Sequence, residues 1–335
     1  MAYTGLHVNY LTPGALETIR KGRPQMVKTL DHHKDWRAIK QECGIQFLLG
    51  REWLDPVANL EPTPEEAAEN LFGAMRPFMA MHHGVYDAWE SPWNERYQRP
   101  WERLEDYGRA TRRFCQLAHG IGVKVAVGNF SVANPEPEEM TLFLEGLAEA
   151  DYLSLHEYWL PDNYNWGGWA GKWKRLLAAI PSQYQRPVLI TECGIDGGLE
   201  DRRAHGWRSY DVAPTRYVEQ LNEYRNSLDE RVLGMTVFCC GTLDNAWSPF
   251  DVAGVAEVKT WLRDTHHTAP LPIPPTPEPP PPAPPQTPND LYALREHISA
   301  LDSLGKAMMG YGKEVQDRAA AIWHDYDLGN ARPFQ

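Results

Sequence analysis

The stretch Pro187-Val188-Leu189-Ile190-Thr191-Glu192-Cys193-Gly194 decides how the whole chain is read. Val188, Leu189 and Ile190 form a short apolar run with two β-branched residues, bounded by Pro187 in front and Gly194 behind. That is the pattern of a strand buried on both faces, as in a parallel sheet. A carboxylate, Glu192, stands at its C-terminal end. Burying an ionised carboxylate is expensive unless it is paired or has a task. In parallel α/β folds the C-terminal ends of the strands are where ligands bind and chemistry happens. From this stretch alone, Glu192 is either a functional acid or a strand-end residue paired with a neighbouring Arg.

Outward from this strand, a strand-then-helix rhythm repeats along residues 1 to 265. The apolar runs predict strands at 5–9, 25–30, 45–51, 85–89, 123–130, 152–156, 188–194 and 232–239. Helical stretches are expected near 15–20, 36–42, 67–81, 100–118, 137–150, 173–180, 214–228 and 255–264. Thr63-Pro64-Glu65-Glu66 is a good helix start, with Thr as N-cap, Pro at the first position and acids in the first turn. Eight such units in this length match an α/β chain folded as a (β/α)8 TIM barrel, typically of about 250 residues. A doubly wound sheet usually carries a Gly-rich phosphate turn after strand one. Here His7-Val8-Asn9 occupies that place, and no GxGxxG or GxxxxGK[ST] is present.

Composition narrows the partners. The formal net charge of −12 argues against nucleic acid or an anionic membrane surface. No apolar run approaches the roughly 18 residues of a membrane span. Thirteen Trp and fifteen Tyr are many; surplus aromatics are often core, but they are also the usual platforms for sugar rings. Five scattered cysteines at 43, 115, 193, 239 and 240 read as buried thiols, with no CxxC pair to suggest zinc. The N-terminus shows no signal-peptide pattern, so either the protein is not exported by that route or the chain was cut from a longer precursor.

Three regions are expected. Residues 1–267 form the barrel. Residues 268–289 form a Pro-rich linker: twelve prolines fall between Pro270 and Pro288. A polyproline II spacer rises roughly 3.1 Å per residue, so this one spans about 60 Å fully extended. Residues 290–335 form a helical segment whose apolar positions (291, 294, 298, 301, 308, 315, 319 and 322) follow an a/d spacing interrupted by Gly305 and Gly312. Such a stripe needs a coiled-coil partner or a docking surface on another protein.

The chemistry is carried by a second acid. Glu95 follows predicted strand four as Glu192 follows strand seven, so barrel closure lets the two carboxylates converge over its mouth. Two carboxyl groups about 5 to 5.5 Å apart across a sugar perform retaining glycoside hydrolysis. Trp93-Asn94-Glu95 and Ile190-Thr191-Glu192 resemble the strand-four Asn-Glu and strand-seven Glu of the retaining (β/α)8 glycoside hydrolases of clan A. The resemblance covers about residues 4 to 265. It implies that Glu95 is the acid/base, that Glu192 is the nucleophile, and that Asn94 binds the sugar 2-hydroxyl.

His156-Glu157-Tyr158 resembles the clan's His-x-Tyr after strand six, which implies that Tyr158 orients the nucleophile while His156 lines the site. The resemblance further implies that Trp247 floors a sugar subsite and that Arg51 keeps Glu192 ionised, although the clan's Arg more often comes from strand two. His7, Asn129 and Trp159 are further candidate sugar contacts, Trp159 as part of a loop with Trp166, Trp169 and Trp173. Two departures stand out. Pro92 lies just before Asn94-Glu95 and cannot donate to a ladder, so strand four must end or bulge by Ser91. Glu90 is therefore a competing acid, and Glu157 is another acidic group near the mouth.

No metal or other cofactor is expected. The doublets His32-His33, His82-His83 and His266-His267 point their side chains in different directions, and no HExxH occurs. Cys193 alternates with Glu192 and is expected to be a packed thiol. The leading reading is a retaining glycosidase acting on β-linked poly- or oligosaccharide, extracellular or surface-attached. The alternatives are a barrel that binds glycan without cleaving it, attached to a larger surface or virion-like assembly, and a metal-dependent hydrolase.

Overall fold

Eight short apolar runs become eight parallel strands in the computed structural model, which describes residues 2–52, 63–95, 104–161, 169–197, 205–243 and 246–266. They are β1 (Tyr3–Val8), β2 (Met26–Thr29), β3 (Phe47–Gly50), β4 (Ala88–Glu90), β5 (Val125–Phe130), β6 (Tyr152–Trp159), β7 (Val188–Ile195) and β8 (Val232–Cys240). Each pairs with the next, and β8 closes on β1, with Tyr3 opposite Gly234 and His7 opposite Phe238. The fold is a (β/α)8 barrel. The expected Pro-rich linker, the helix expected from the a/d pattern after it, and the Asp162–Trp166 part of the expected tryptophan loop lie outside the described residues.

The helices follow their end signals. α1 (Pro13–Gly22) starts at Thr12, whose hydroxyl accepts from the Ala15 N–H. α2 (Trp36–Cys43) stops at Gly44, which takes a left-handed φ of 70° that L side chains adopt only under strain. α3 (Pro64–Met81) begins with Thr63 as N-cap and Glu65 and Glu66 in its first turn. α4 (Leu104–His119) packs along α3. After β5 the chain makes a 3₁₀ stretch, Pro137–Phe143, before the short α5 (Leu144–Ala148), so the single helix expected over 137–150 is split. α6 (Trp173–Ala179), α7 (Pro214–Ser227) and α8 (Ala256–His266) complete the ring.

Two apolar layers hold the barrel. The larger cluster lies between strands and helices and contains Leu6, Val27, Leu48, Val127, Ile190 and Val237 with the buried faces of the helices. The smaller contains Met26, Leu49, Ala88, Ala126, Tyr152 and Leu189, drawn from successive strands as in the filled interior of a TIM barrel. Two residues further along the even-numbered strands the layer turns polar: Lys28 on β2, Glu90 on β4, Ser154 on β6 and Thr236 on β8, all buried. This change from apolar to charged marks where packing ends and the site begins.

Strand β4 is shorter than the run 85–89 and shifted toward its end. The Asp87 carboxylate accepts the Leu48 N–H and pairs with Lys40, so residues before 88 serve as a connector. The strand stops at Glu90 because Pro92 has no N–H for the ladder. Gly50, at the end of β3, leaves room for the rings of Trp89 and Tyr86: a Cβ there would lie 2.8 Å from the Trp89 ring. Both rings are buried and have nowhere to move. Gly50→Ala is therefore expected to destabilise the protein by about 1–3 kcal/mol through overpacking, read as a lower urea midpoint at unchanged slope.

Candidate active site

Glu192 enters the barrel through an irregularity in β7. The register against β8 shifts between Ile190 and Cys193, and against β6 between Leu155 and His156. The shift turns both Thr191 and Glu192 inward. Thr191 Oγ1 lies 2.7 Å from Ser154 Oγ, and Glu192 reaches Lys28. Cys193 faces the other way, toward the Thr236 carbonyl, as a buried thiol; all five cysteines are buried and free.

The carboxylate of Glu192 is surrounded by donors. Lys28 Nζ donates to Oε1 at 2.9 Å and Arg51 Nη1 to the same oxygen at 3.0 Å. The Tyr158 hydroxyl donates to Oε2 at 2.9 Å. His156 Nδ1 lies 3.5 Å from Oε2 and His7 Nδ1 3.4 Å from Oε1. Burial alone would raise the Glu192 pKa, but His156 first, then Lys28, His7 and Arg51, overcome it and hold the group well below the carboxylate range. His7 goes the opposite way: burial first, then Lys28, push its pKa well below 6.5, so its ring is neutral. Glu192 is thus a buried anion in direct contact with two cations, Lys28 and Arg51.

Lys28 was not among the residues singled out from the sequence. It is completely buried on β2 and contacts Glu90 Oε2 and Glu192 Oε1, each at 2.9 Å. Its signal was a lone charge within the apolar strand run Met26-Val27-Lys28-Thr29. Arg51, the cation expected from the end of strand three, reaches Glu192 from there, and Lys28 on β2 is a second one. Glu90 is not a second acid at the cleft surface. It is completely buried, accepts the Ser154 hydroxyl at 2.8 Å, and is held below the carboxylate range: burial raises it, and Lys28 and Arg51 more than reverse that.

Glu95 stands on an irregular loop clamped from β5. Asn129 Nδ2 donates to the carbonyls of Ser91 and Trp93, at 2.9 and 3.1 Å, and the Asn129 carbonyl accepts the Glu95 N–H at 2.9 Å. Trp93 is buried against Tyr107 and Phe114 and anchors the loop from below. Asn129 was expected as a sugar contact. Its side chain is instead fully buried behind the loop, where Pro92 and the early end of β4 leave carbonyls that need a donor. Glu95 and Asn129 both take left-handed backbone conformations, φ 51° and 45°, of the kind that cluster at functional sites. Glu95 Oε1 accepts from His156 Nδ1 at 2.7 Å. Its side chain is 33% exposed against 7% for Glu192, so one acid faces solvent and the other does not.

The two acids meet across His156: the ligand atoms of Glu95, His156 and Glu192 lie within 4.8 Å of one another. They open onto a cleft of about 540 Å³ lined also by His7, Asn9, Arg51, Asn94, Tyr158 and Phe238, with Tyr10 and Trp247 at its rim. Trp247 is 37% exposed and stands edge-on to Phe238 at 5.2 Å. Asn9, Tyr10 and Phe238 also escaped the sequence reading; each sits at the C-terminal end of a strand or just past it. Both nitrogens of His7 and the Oδ1 atoms of Asn9 and Asn94 are buried without a hydrogen-bond partner among the described residues. A cleft lined by unsatisfied donors and acceptors beside aromatic faces suits a polyhydroxylated ligand.

Two expectations fail. Trp159 was placed in a rim loop, but β6 continues to residue 159, pairing with Ile195, and the side chain points outward. It is fully buried against Tyr224, with its Nε1–H donated to Gln220, and is a core residue. Trp173 is likewise buried, in α6. Glu157 alternates with the inward-facing His156 and Tyr158, so it faces the helices. There it accepts the Gly171 and Trp173 N–H groups and the Tyr224 hydroxyl, and burial raises its pKa to about 7.

Glu95, His156 and Glu192 are, among the described residues, the one cluster with metal-ligand spacing. Lys28 and Arg51 already place two positive charges on Glu192, which opposes a dication at the same carboxylate. The donor set fits an acid pair better than a metal.

No protein-family profile matches the chain, and no curated protein matches its sequence. Solved structures do match. A glycoside hydrolase family 17 β-1,3-glucanosyltransferase from Rhizomucor miehei aligns over 70% of this chain and 86% of its own, at 15% identity and TM-score 0.45. A family 128 (subgroup I) endo-β-1,3-glucanase from Amycolatopsis mediterranei, in complex with laminaritriose, aligns over 79% and 99%, at 12% identity and TM-score 0.48. A calcium-binding mutant of Bacteroides uniformis β-glucuronidase 2 aligns over 75% of this chain and 32% of its own, at 12% identity and TM-score 0.51. The likeness is one of fold. The fold they share with this chain is the (β/α)8 barrel, and no family is assigned.

Two outcomes are expected. Lys28→Met leaves Glu90 buried beside Arg51 alone and should cost about 3–5 kcal/mol, while the double variant Lys28→Met/Glu90→Gln recovers part of the loss; chemical denaturation of the three proteins checks this. Glu157 binds its proton more tightly when folded, so its contribution to stability falls as pH rises from the ordinary 4.5 through about 7. Measured against Glu157→Gln, the wild type should lose stability across that window, at up to about 1.4 kcal/mol per pH unit.

Proposed function

We propose that the protein is a retaining β-glycosidase acting on oligo- or polysaccharide by double displacement. The observation that carries this reading is the separation of the two acids: oxygens of Glu95 and Glu192 come within 4.8 Å of each other at the C-terminal mouth of the barrel. Retaining enzymes hold their carboxyl groups about 5–5.5 Å apart, and inverting ones about 6.5–9.5 Å. Both acids lie where barrel enzymes place their chemistry.

The roles follow from the environments. Glu192 is buried, ionised and fixed by three donors, which suits a nucleophile. Its Oε1 carries both cations, whereas Oε2 has the Tyr158 hydroxyl as its one hydrogen-bond donor among the described residues, so Oε2 is the oxygen that attacks the anomeric carbon. Glu95 is more exposed and bonded to His156, within reach of a leaving-group oxygen and of incoming water, which suits the acid/base. In the first step Oε2 bonds to the anomeric carbon, the bond to the aglycone oxygen breaks, and Glu95 gives that oxygen its proton. In the second step water attacks, Glu95 takes the proton, and Glu192 leaves as a carboxylate. His7, Asn9 and Asn94 supply unsatisfied atoms for sugar hydroxyls, and Trp247 supplies a stacking face.

A panel of β-glucans, mannans and aryl β-glycosides tests the reading. Wild type should cleave at least one member with retention at the anomeric carbon, seen by NMR of the first product formed. Glu192→Gln should abolish turnover. Glu95→Gln should slow poor leaving groups by about 10²–10⁴-fold and activated aryl groups far less. Dialysis against a chelator should leave the rate unchanged. Binding of glycan with no cleavage by wild type would replace this reading with that of a glycan-binding barrel, and an inverted product would remove the double displacement.

A further inference from the structure

Glu90 is buried and charged, and it takes no part in the two steps above. It shares Lys28 with the nucleophile: Lys28 Nζ is 2.9 Å from Glu90 Oε2 and 2.9 Å from Glu192 Oε1. Arg51 is shared in the same way, with Nη1 3.0 Å from Glu192 and Nε 4.0 Å from Glu90. The Ser154 hydroxyl fixes the remaining Glu90 oxygen, and the Ser154 and Thr191 hydroxyls are themselves 2.7 Å apart, next to the nucleophile in the chain. We propose that Glu90 is a positioning residue that competes with Glu192 for Lys28, keeping the nucleophile reactive and leaving Lys28 a carboxylate partner once Glu192 has become an ester. This rests on the double-displacement reading above.

The argument is one of charge balance. In the free enzyme two cations face two buried carboxylates. Groups around Glu90 are Lys28 from β2, Arg51 from the end of β3, Ser154 and His156 from β6, and Thr191 from β7. Groups around Glu192 are His7, Lys28, Arg51, Glu95, His156 and Tyr158. When Oε2 bonds to the anomeric carbon, the Glu192 charge disappears and an equal negative charge appears on Glu95, which has given its proton to the aglycone oxygen. Lys28 and Arg51 stay where they are. Among the described residues Glu90 is then the carboxylate still in contact with Lys28. Without its charge, Lys28 would bind Glu192 alone, lowering its basicity and nucleophilicity before the step and losing its partner after it. The penalty falls on ester formation. Ester hydrolysis restores the Glu192 charge and is favoured by the same change.

A merely structural residue would slow both half-reactions together, so the two are measured separately on Glu90→Gln. With the aryl β-glycoside cleaved best in the panel, kcat/KM reports ester formation, and kcat on its 2,4-dinitrophenyl analogue reports ester hydrolysis. The expected result is a fall in kcat/KM of about 10-fold, within the range that coupling between contacting residues covers, with hydrolysis unchanged or faster. Equal slowing of both overturns the proposal. A substrate-free measurement runs alongside: the Glu192 carboxyl is titrated by ¹³C NMR of glutamate-labelled protein, assigned by its loss in Glu192→Gln. Its midpoint should move down in Glu90→Gln; a midpoint that stays or rises overturns the proposal. If wild type cleaves no glycoside, the functional reading falls, and the titration alone decides whether Glu90 and Glu192 compete for Lys28. If Glu90→Gln does not fold, Glu90→Asp draws the carboxylate back from Lys28 and should give a smaller shift of the same sign.

Discussion

A carboxylate inside a closed barrel stays ionised only if positive charge is buried with it, and here that charge is Lys28. Its ammonium is completely buried and lies 2.9 Å from each of two acids, Glu90 and Glu192. Isolated burial of any of the three would cost several kcal/mol; together, with Arg51, they form a charge-balanced cluster in which Glu90 Oε2 meets Lys28 as an ion pair without a hydrogen bond. The Ser154, Thr191 and Thr236 hydroxyls continue it around the barrel. The polar layer built this way stands directly above Met26, Ala88 and Tyr152, so the packed interior and the reactive mouth meet with no gap between them.

The frame does a second job, which is to hold an irregular segment still. Strand β4 is only three residues long, and after the Ser91 N–H, which donates to the Ala126 carbonyl of β5, the segment to Glu95 leaves the ladder. That leaves carbonyls without strand partners, and Asn129 supplies the donors from β5. Glu95 then takes a left-handed backbone conformation that a non-glycine residue adopts only when its surroundings over-determine it. Trp93 beneath the loop and the Asn129 carbonyl on the Glu95 N–H provide that constraint. The odd Ser91-Pro92 approach is therefore compatible with a well-placed acid, because the anchor comes from the neighbouring strand.

Much of this was legible in the chain. Each strand run showed itself by a short apolar stretch between breakers, and the helix starting at Thr63 by its cap and first-turn acids. Glu192, Tyr158, Arg51, His7, Asn94 and Trp247 all line the cleft, since a residue at the C-terminal end of a barrel strand has few other places to go. The misreadings share one cause. Whether a residue beyond a predicted strand end is loop or strand depends on how far the neighbouring strand continues. Trp159 became a core residue because β7 runs on to Ile195 and pairs with it. Glu157 turned outward by the same extension, and Asn129 was drawn behind the Glu95 loop by carbonyls whose need for a donor no local pattern displays.

By itself, the sequence determined the alternation of strand and helix, the barrel that eight such units imply, and the two acids at the ends of the fourth and seventh strands. Those are local properties: periodicity, breakers, and charged residues at the edges of apolar runs. Tertiary structure alone decided which charges meet. Lys28, Glu90 and Glu192 are separated by 62 and 102 residues in the chain (90 − 28 and 192 − 90) and touch only because the barrel closes. The β7 register shift that turns Thr191 and Glu192 inward together is also a product of pairing with β6 and β8. Electrostatic balance in a low-dielectric interior depends on distances between strands, and those distances exist only once the sheet has closed.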